Sequence, residues 1–386
     1  MLNFRNYEKL DLEFGPGMTL IHGENGKGKS NLLEALYILA IAKSQRASSE
    51  RELLRRQCNP QKSHTSVSAT VQRNRGSVRI QIDLEPDSQP GQGSSEHRES
   101  LPFRKHIRVN GAPRSSIELV GEMNAVMFSA QDLELVQGPP PVRRRYMDIL
   151  ISQIDREYLR LLQRYQRVVS QRNHLLKAIR DGRAQSRELD FWDDELVANG
   201  KTLTSKRAET IRSLSEISAV IHAELAGGGE DLIIDYRPSI NMIEGASDNV
   251  LAQSFRKSLA SSRQTDVSQG FTTCGPHRDD LQMRLNTMDT KIFGSRGQCR
   301  TVVLAMKLAE AQHLKLQRGE EPILLLDDVL SELDLPRRTH LLDKARQYQQ
   351  CFLTTAETGI ITDEFLSNMS QYTVSCGRVK RVELGN

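Results

Sequence analysis

Three short stretches of the chain carry residue types suited to phosphate chemistry, and the first is a glycine-rich loop. Residues 23–30 read GENGKGKS, which fits the pattern G-x-x-x-x-G-K-[ST] between a short apolar run and a helical pattern. In such a loop the glycine N–H groups surround a β-phosphate, Lys29 binds β- and γ-phosphate oxygen atoms, and the Ser30 hydroxyl binds Mg²⁺. The predicted ATP-binding residues are Gly23, Glu24, Asn25, Gly26, Lys27, Gly28, Lys29, Ser30 and Asn31.

The second stretch ends in two adjacent carboxylates. Residues 323–328 read ILLLDD after a proline, and the apolar run is typical of a buried strand in a parallel sheet. An aspartate at a strand end often only caps a helix, but beside a phosphate loop the pair predicts a hydrolytic centre. Because successive strand residues point to opposite faces, we expect Asp327 to bind Mg²⁺ and Asp328 to orient or deprotonate the attacking water.

A third polar stretch, SRGQCR at residues 295–300, opens a predicted helix. Free backbone N–H groups at a helix N-terminus bind anions. Folding this segment back onto the nucleotide held by residues 23–30 would crowd an occupied site. We therefore expect it to contact the nucleotide of a second copy of the chain, so that two chains enclose two nucleotides.

The elements that must position these residues are of two kinds. Alternating apolar and polar residues from 65 to about 110 predict antiparallel strands. From Leu150 to Leu225 apolar residues recur at steps of three and four with a break at Asp181-Gly182, which predicts two antiparallel helices of roughly 35 residues each. These helices are either a plain helical subdomain or an arm that binds a partner.

The phosphate loop and the aspartate pair lie at opposite ends of the chain, with the predicted helices between them. The parallel sheet must therefore be assembled from both ends. We predict an α/β fold in which residues 1–118 and 270–386 form an ATPase lobe. Residues 119–269 form an inserted helical arm of short coiled-coil-like character.

Composition narrows the class of protein. The net charge of +4 permits nucleic acid or acidic partners without requiring either. The five cysteines are scattered without a C-x-x-C pair, which disfavours a disulfide framework or a zinc site. The sequence contains neither a run of eighteen apolar residues nor a signal-peptide core. We therefore expect a soluble, cytoplasmic protein with no membrane partner.

Arginines along the first predicted arm helix favour contact with nucleic acid. Arg156, Arg160 and Arg164 share one helix face, and Arg143 and Arg144 precede them. A solvated helix face would have the same pattern, whereas contact with DNA phosphates would be non-specific and sensitive to salt. Since only 5% of the residues are aromatic, base stacking is disfavoured and double-stranded or gapped DNA is the expected ligand.

Five motifs, in order and spacing, resemble the RecF family of bacterial ABC-type, SMC-like ATPases. They are NFRNY (3–7), GENGKGKSNLLEALY (23–37), GPHRDDL (275–281), SRGQCRTVVLAMKLAE (295–310) and LLLDDVLSELD (324–334). The resemblance implies a P-loop ABC-type head, ATP and Mg²⁺ as cofactors, and a homodimer that forms when ATP binds. Many ABC ATPases have a switch histidine after the strand that ends near residue 355, and this chain has none there. The resemblance therefore implies slow hydrolysis.

The resemblance also implies roles for individual residues. Gln131 would be the loop glutamine that senses Mg²⁺ and water, which makes Lys29, Asp328 and Gln131 the predicted catalytic residues. Asp334 would communicate across the dimer, and Thr355 would sense the γ-phosphate. The residues expected to contact the partner's nucleotide are Ser295, Gly297, Gln298 and Arg300.

The implied function is that of an ATP-dependent recombination mediator. Such a protein assists RecA loading at gapped DNA with RecO and RecR, in recombinational repair, replication restart and the SOS response to DNA damage. Two other classes stay open: an SMC-like, ATP-gated DNA clamp without a mediator role, and a nucleotide-dependent nuclease. We expect His277 to be structural or an interface group, because the histidines lack metal-ligand spacing. We expect Asp279 and Asp280 to form hydrogen bonds to neighbouring loops.

Overall fold

The computed structural model describes residues 1–55, 64–86, 103–242, 245 and 247–382. The chain divides into two compact units, one formed by Met1–Asp132 with Glu310–Asn386 and the other by Leu133–Ala309. The α/β fold built from both chain ends, with a helical insertion, is as predicted. The boundaries differ from the predicted 118/119 and 269/270. Residues 125–129, inside the predicted arm, pair with residues 323–327 of the ATPase lobe, and residues 280–285, outside the predicted arm, pair with residues 232–237 inside it.

Among the described residues, the strands in chain order are β1 (Leu2–Phe4), β2 (Tyr7–Lys9), β3 (Gly17–His22), β4 (Thr65–Arg73), β5 (Gly76–Pro86), β6 (Phe103–Val109), β7 (Ala112–Arg114), β8 (Ala125–Ser129), β9 (Leu232–Arg237), β10 (Asp280–Leu285), β11 (Met288–Asp289), β12 (Ile323–Asp327), β13 (Gln350–Thr355), β14 (Ser370–Ser375) and β15 (Arg378–Arg381).

The helices in chain order are α1 (Lys29–Ile41), α2 (Ser116–Leu119), α3 (Glu134–Gln137), α4 (Pro140–Ile154), α5 (Arg156–Arg180), α6 (Leu189–Ala226), α7 (Asp248–Gln269), α8 (Thr290–Phe293), α9 (Arg296–Arg318), α10 (Leu335–Ala345) and α11 (Asp363–Ser367). Short 3₁₀ turns occur at Glu50–Leu53, Ala130–Leu133, Ser186–Glu188, Pro276–Arg278, Val329–Glu332 and Thr358–Ile360.

The first unit contains a mainly parallel sheet with strand order β15-β14-β3-β13-β12-β8. Leu324, Leu325 and Leu326 of β12 are fully buried, as the apolar run predicts for a strand covered on both faces. β8 pairs in parallel with β12, which is why the first unit extends to Asp132. The carboxyl ends of β3, β13 and β12 open on one edge, where ligands of such sheets bind.

A second sheet of the first unit is antiparallel, in the order β2-β1-β4-β5-β6-β7. Its β4 and β5 are joined by a tight turn that pairs Arg73 with Gly76, as the alternation of apolar and polar residues predicts. One apolar core joins this sheet to α1 and to the parallel sheet, through buried residues such as Ile80, Leu33 and Phe352. The glycine loop and α1 are thus fixed between two sheets.

The second unit consists of α3–α8, β9–β11 and the first part of α9. α5 and α6 form the predicted antiparallel hairpin, and α7 packs on it through a core that includes Tyr165, Leu203 and Phe255. The predicted length of the first helix was wrong. The chain breaks at Asp155, whose carboxylate caps α5 by accepting the N–H groups of Glu157 at 2.8 Å and Tyr158 at 3.1 Å.

The small sheet of the second unit has the order β11-β10-β9. β10 is antiparallel to β9 from Asp280 opposite Arg237 to Leu285 opposite Leu232. This non-local pairing places residues 270–309 with the arm rather than with the ATPase lobe. Within the described ranges, none of the helices has the length and apolarity that a bilayer span requires. Cys274, Cys299, Cys351 and Cys376 are free thiols, and Cys58 lies outside the described residues.

A buried arginine ties the hairpin to its surroundings. Arg172 on α5 is fully buried and donates to Asp193 of α6 and Asp266 of α7, each at 2.7 Å, and to Thr272 at 2.9 Å. Asp266 is itself fully buried. Removing one partner of such a pair leaves a charge without compensation in a medium of low polarity.

Arg172→Ala should therefore destabilise the second unit by about 3–5 kcal/mol. Denaturant unfolding of the full chain, followed by circular dichroism, measures the shift. Arg167→Ala is the matched control, because Arg167 lies on the same helix and is exposed. Equal unfolding midpoints for the two variants would contradict the stabilising role of the buried pair.

Candidate active site

The loop between β3 and α1 has a backbone that only glycine fits at two positions. Gly23 has φ 147° and Gly28 has φ 120°, both in the region that favours glycine. A β-carbon on Gly23 would lie 2.4 Å from the carbonyl oxygen of Val374, and one on Gly28 would lie 2.4 Å from the amide nitrogen of Asn6. A backbone carbonyl at Gly23 and the Asn6 side chain at Gly28 therefore leave no room for a β-carbon, and the loop keeps the glycine backbone that phosphate binding requires.

Lys29 begins α1 and directs its ammonium back into the loop. Its Nζ donates to the carbonyl oxygen atoms of Gly23 at 2.6 Å and Glu24 at 3.0 Å. Burial lowers the pKa of Lys29, and the carboxylates of Asp328 and Asp327 oppose this shift. A cation at a helix N-terminus, within electrostatic reach of two carboxylates, suits the binding of a phosphate group together with a divalent cation.

The β1–β2 hairpin contacts the glycine loop and supports it, a role that the sequence motif NFRNY did not reveal. The Asn6 side chain donates to the carbonyl oxygen of Lys27 at 2.8 Å and accepts from the Asn31 amide at 2.8 Å. The buried Tyr7 hydroxyl donates to the carbonyl oxygen of Gly28 at 2.9 Å. Both side chains thus hold the stretch of the loop that runs into α1.

α1 is anchored by an ion pair from the same hairpin. Arg5 binds the Glu34 carboxylate with two N–H groups, at 2.8 and 2.7 Å, and the Ser44 hydroxyl donates to Glu34 at 2.5 Å. Glu34 is almost completely buried. A bidentate, buried pair of this kind fixes direction as well as distance.

The predicted carboxylates lie at the end of β12, beside the lysine. Asp327 is the last strand residue and accepts from the Thr354 hydroxyl at 2.9 Å. Asp328 lies outside the strand and has φ 55°. The expectation that the two aspartate side chains point to opposite faces rested on strand alternation, and this alternation ends at Asp327. Burial raises the pKa of Asp328, and Lys29 opposes that shift.

The donor set fits Mg²⁺. The Ser30 hydroxyl and the Asp327 carboxylate are hard oxygen ligands, and Mg²⁺ prefers one or two protein oxygen atoms together with water and phosphate. No cluster of three or more metal-ligating side chains occurs in the described part of the chain. A site completed by nucleotide phosphates is therefore compatible with these residues, and Ser30 and Asp327 would hold the ion.

Three further predicted residues have definite positions in the first unit. Gln131 is exposed in the 3₁₀ turn directly after β8, whose Ser129 is opposite Asp327. Thr355 is buried at the end of β13, where its hydroxyl donates to the Glu357 carbonyl oxygen at 3.0 Å. Asp334 caps α10 by accepting the N–H of Arg337 at 3.1 Å. The residue that contacts both aspartates is Thr354, which the sequence analysis missed.

The predicted signature motif lies in the second unit, at the exposed start of α9. Ser295 accepts the N–H of Gln298 at 3.2 Å, while the Gln298 side chain accepts the N–H of Ser295 at 2.8 Å. This reciprocal cap occupies Gln298, which also donates to Glu230 at 2.7 Å. Ser295 and Gly297 are exposed, and a β-carbon on Gly297 would come no closer than 3.9 Å to its neighbours.

Comparison with known proteins identifies the family. The model of the RecF/RecN/SMC N terminal domain matches residues 1–376. A protein named DNA replication and repair protein RecF from Chloroflexus aurantiacus is 38% identical, with 98% of this chain and 97% of that protein aligned. Its namesake from Bacillus cytotoxicus is 39% identical, with 98% and 96% aligned. The chain belongs to the RecF family.

Solved structures agree with this assignment to the RecF family. The recombination mediator protein RecF of the RecFOR pathway, solved with ATP, superposes with a TM-score of 0.85 at 31% identity, covering 99% of this chain and 95% of that one. An Smc head bound to the C-winged helix domain of ScpA superposes with a TM-score of 0.53 at 16% identity, covering 99% and 95%. The ABC/SMC-type ATPase fold predicted from the motifs is thereby confirmed.

The arginines predicted to meet DNA differ in their surroundings. Arg143 is wrongly assigned, because it is buried and binds the Asp280 carboxylate at 2.6 and 2.9 Å. Arg144 is half-buried and donates to the Asp279 carbonyl oxygen at 2.8 Å. Arg156 is half-buried, whereas Arg160 and Arg164 are exposed, and Arg164 pairs with Glu195 at 2.8 Å. The exposed arginines of this RecF-family arm thus lie further along α5.

His277 and Asp279 of the GPHRDD segment make internal hydrogen bonds in this RecF-family chain. His277 is hydrogen-bonded to the Tyr165 hydroxyl at 2.8 Å, and burial lowers its pKa to about 4. Asp279 accepts from Arg207 at 3.1 Å and from the Ser239 N–H at 2.8 Å. These contacts join the hairpin helices to β9 and β10.

Asn6→Ala should weaken ATP binding about tenfold, because the loop loses the hydrogen bond to the Lys27 carbonyl oxygen and α1 loses the one from the Asn31 side chain. Titration with a fluorescent ATP analogue measures the affinity. Asn110→Ala is the control, since Asn110 makes a comparable turn contact with the Arg79 N–H in the antiparallel sheet. An unchanged affinity for Asn6→Ala would mean that the loop keeps its shape without the hairpin.

Proposed function

We propose that the chain is an ATP-dependent, DNA-binding recombination mediator that hydrolyses ATP slowly. The observation that carries the proposal is the placement of Lys29, after β3, and of Asp327 and Asp328, at the end of β12, at one edge of a sheet in which β13 pairs with both strands. The arrangement offers a cation to phosphate oxygen atoms and carboxylates to Mg²⁺ and to water. Relatives named for DNA replication and repair, and one described as a recombination mediator, support the biological role.

In this proposal each group of the first unit has one task in hydrolysis. Loop N–H groups and Lys29 hold the β- and γ-phosphates, and Asp328 orients the attacking water and accepts its proton. Because burial raises the pKa of Asp328, this carboxylate is a better proton acceptor than an exposed aspartate. Mg²⁺, when bound by Ser30 and Asp327, supplies further neutralisation of phosphate charge. Gln131, in the 3₁₀ turn that follows β8, is the second residue proposed to contact the attacking water.

The residue at the end of β13, Thr355, supports the proposal that ATP is hydrolysed slowly. Many ABC ATPases have a histidine there, whereas this chain has Thr355, whose hydroxyl already donates to Glu357. A neutral hydroxyl stabilises developing charge on the γ-phosphate less than a cationic imidazole does. Slow hydrolysis suits a protein whose ATP-bound state must persist on DNA.

The start of α9 is the proposed contact with the nucleotide of a second copy. Ser295 and Gly297 are exposed there. The fold itself does not require glycine at position 297, because a β-carbon would find open space. Glycine at an exposed helix start permits close approach of a phosphate from another molecule. Arg300 adjoins this site, and Asp334, the cap of α10, is the proposed communication residue.

The proposed setting is recombinational repair and replication restart. The partners are double-stranded or gapped DNA and the RecO, RecR and RecA proteins, and the place of action is the cytoplasm, where a bacterial chromosome lies. The alternative is an SMC-like clamp that dimerises on DNA without assisting RecA. RecA filament assembly on gapped DNA, with and without the chain, separates these two roles, and DNA cleavage assayed with Mn²⁺ tests the nuclease alternative.

Asp328→Asn should accumulate an ATP-bound dimer, since nucleotide binds and the water is no longer deprotonated. Light scattering of the full chain with and without ATP gives the mass. Adding Ser295→Arg should abolish the dimer and leave ATP affinity within about threefold of the Asp328→Asn value, because Ser295 contacts only the other copy's nucleotide. A monomer in every sample would refute the composite site.

Arg160→Gln with Arg164→Gln should weaken binding to duplex DNA and reduce the slope of log affinity against log salt by about 1.8, or 0.9 per lost phosphate contact. Anisotropy titrations at several salt concentrations measure the slope. Arg180→Gln with Arg183→Gln is the control, because these exposed arginines lie at the turn between α5 and α6. An unchanged slope would remove this helix face from the DNA site.

A further inference from the structure

Thr354 lies one residue before the end of β13, between the two strands that carry the site. Its register partners are Ile21 on β3 and Asp327 on β12. The side chain is fully buried. A hydroxyl in this position cannot turn to bulk water, so its hydrogen-bond partners are supplied by the protein.

The Thr354 hydroxyl contacts both aspartates of the site. It donates to the Asp327 carboxylate at 2.9 Å and accepts the backbone N–H of Asp328 at 3.0 Å. The Leu326 carbonyl oxygen lies further away, at 3.5 Å. Because a hydroxyl has a single hydrogen, the shorter contact with the charged carboxylate determines its direction.

The contact with Asp328 stabilises an uncommon backbone conformation. Asp328 has φ 55° and ψ 27°, in the left-handed region that residues with a β-carbon rarely adopt. Its N–H points at the Thr354 hydroxyl, which satisfies a donor that would otherwise be lost in the protein interior. The conformation sets the direction in which the Asp328 carboxylate leaves the strand end.

We propose that Thr354 is a positioning residue for ATP hydrolysis, because its hydroxyl fixes the orientation of the Asp327 carboxylate and the backbone of Asp328. It acts only through these two residues and touches no reacting atom. This inference rests on the proposed ATPase function. One side chain thereby aligns the ligand of Mg²⁺ with the group that holds the attacking water.

The test uses the full chain with Thr354→Val, which keeps the branched shape and removes the hydroxyl, and Thr354→Ser, which keeps the hydroxyl. We expect Thr354→Val to lower kcat about 10–100-fold, as the loss of a supporting partner of a metal ligand does. Thr354→Val should also reduce the gain in affinity for a fluorescent ATP analogue on adding Mg²⁺. Thr354→Ser should restore both quantities to within about threefold of the unsubstituted chain.

Thr204→Val is the matched control. Thr204 is equally buried, lies on α6 of the second unit, and its hydroxyl makes no hydrogen bond in the described part of the chain. Its kcat and Mg²⁺ response should equal those of the unsubstituted chain. Should Thr354→Val fail to fold, Thr354→Ser against Thr354→Ala makes the same comparison, since these two differ only in the hydroxyl.

The outcomes separate this inference from the proposed function. An unsubstituted chain without hydrolysis and without Mg²⁺-dependent ATP binding would refute the ATPase function and this inference with it. An active unsubstituted chain whose Thr354→Val variant is equally active would refute only the positioning role. Equal losses in Thr354→Val and Thr354→Ser would likewise overturn it, because the effect would then come from packing and not from the hydroxyl.

Discussion

The hydrogen-bonded register of β3, β13 and β12 determines where each chemical group of the nucleotide site lies. β13 is central: Thr354 is opposite Ile21 on one side and Asp327 on the other. Two residues beyond Ile21 the chain enters the phosphate loop, and one residue beyond Asp327 it reaches Asp328. A slip of one residue in either pairing would turn the side chains to the opposite face. The loop, α1 and the supporting hairpin all depend on this alignment.

Lys29 and Asp328, at this edge of the parallel sheet, affect each other's ionisation. Burial acts against the charged forms, lowering the pKa of Lys29 and raising that of Asp328, while the attraction between them opposes both shifts. Each group therefore helps to keep its counterpart ionised. A bound triphosphate would bring further negative charge to the lysine.

The parts that sequence predicted well are those encoded locally. The glycine loop, the apolar strand before Asp327 and the antiparallel β4–β5 pair are each specified by a few consecutive residues. The missed features depend on segments distant in sequence. Asn6 meets Lys27 because the hairpin packs against the loop, and Arg143 is buried where it pairs with Asp280, 137 positions away. Periodicity alone cannot distinguish such an arginine from an exposed one on the same helix.

The pairing of β3 with β13 also determines when the site can exist. β3 ends at residue 22 and its neighbour β13 starts at residue 350, so a ribosome adding about 5–20 residues per second completes the second strand roughly 15–60 s after the first. The inserted unit, with its own core, is synthesised within this interval and can fold first. The phosphate loop lacks this neighbouring strand until β13 has been synthesised, so a nascent chain that ends before residue 350 lacks part of the sheet that carries the site. The proposed nucleotide site therefore cannot assemble before β13 has been synthesised.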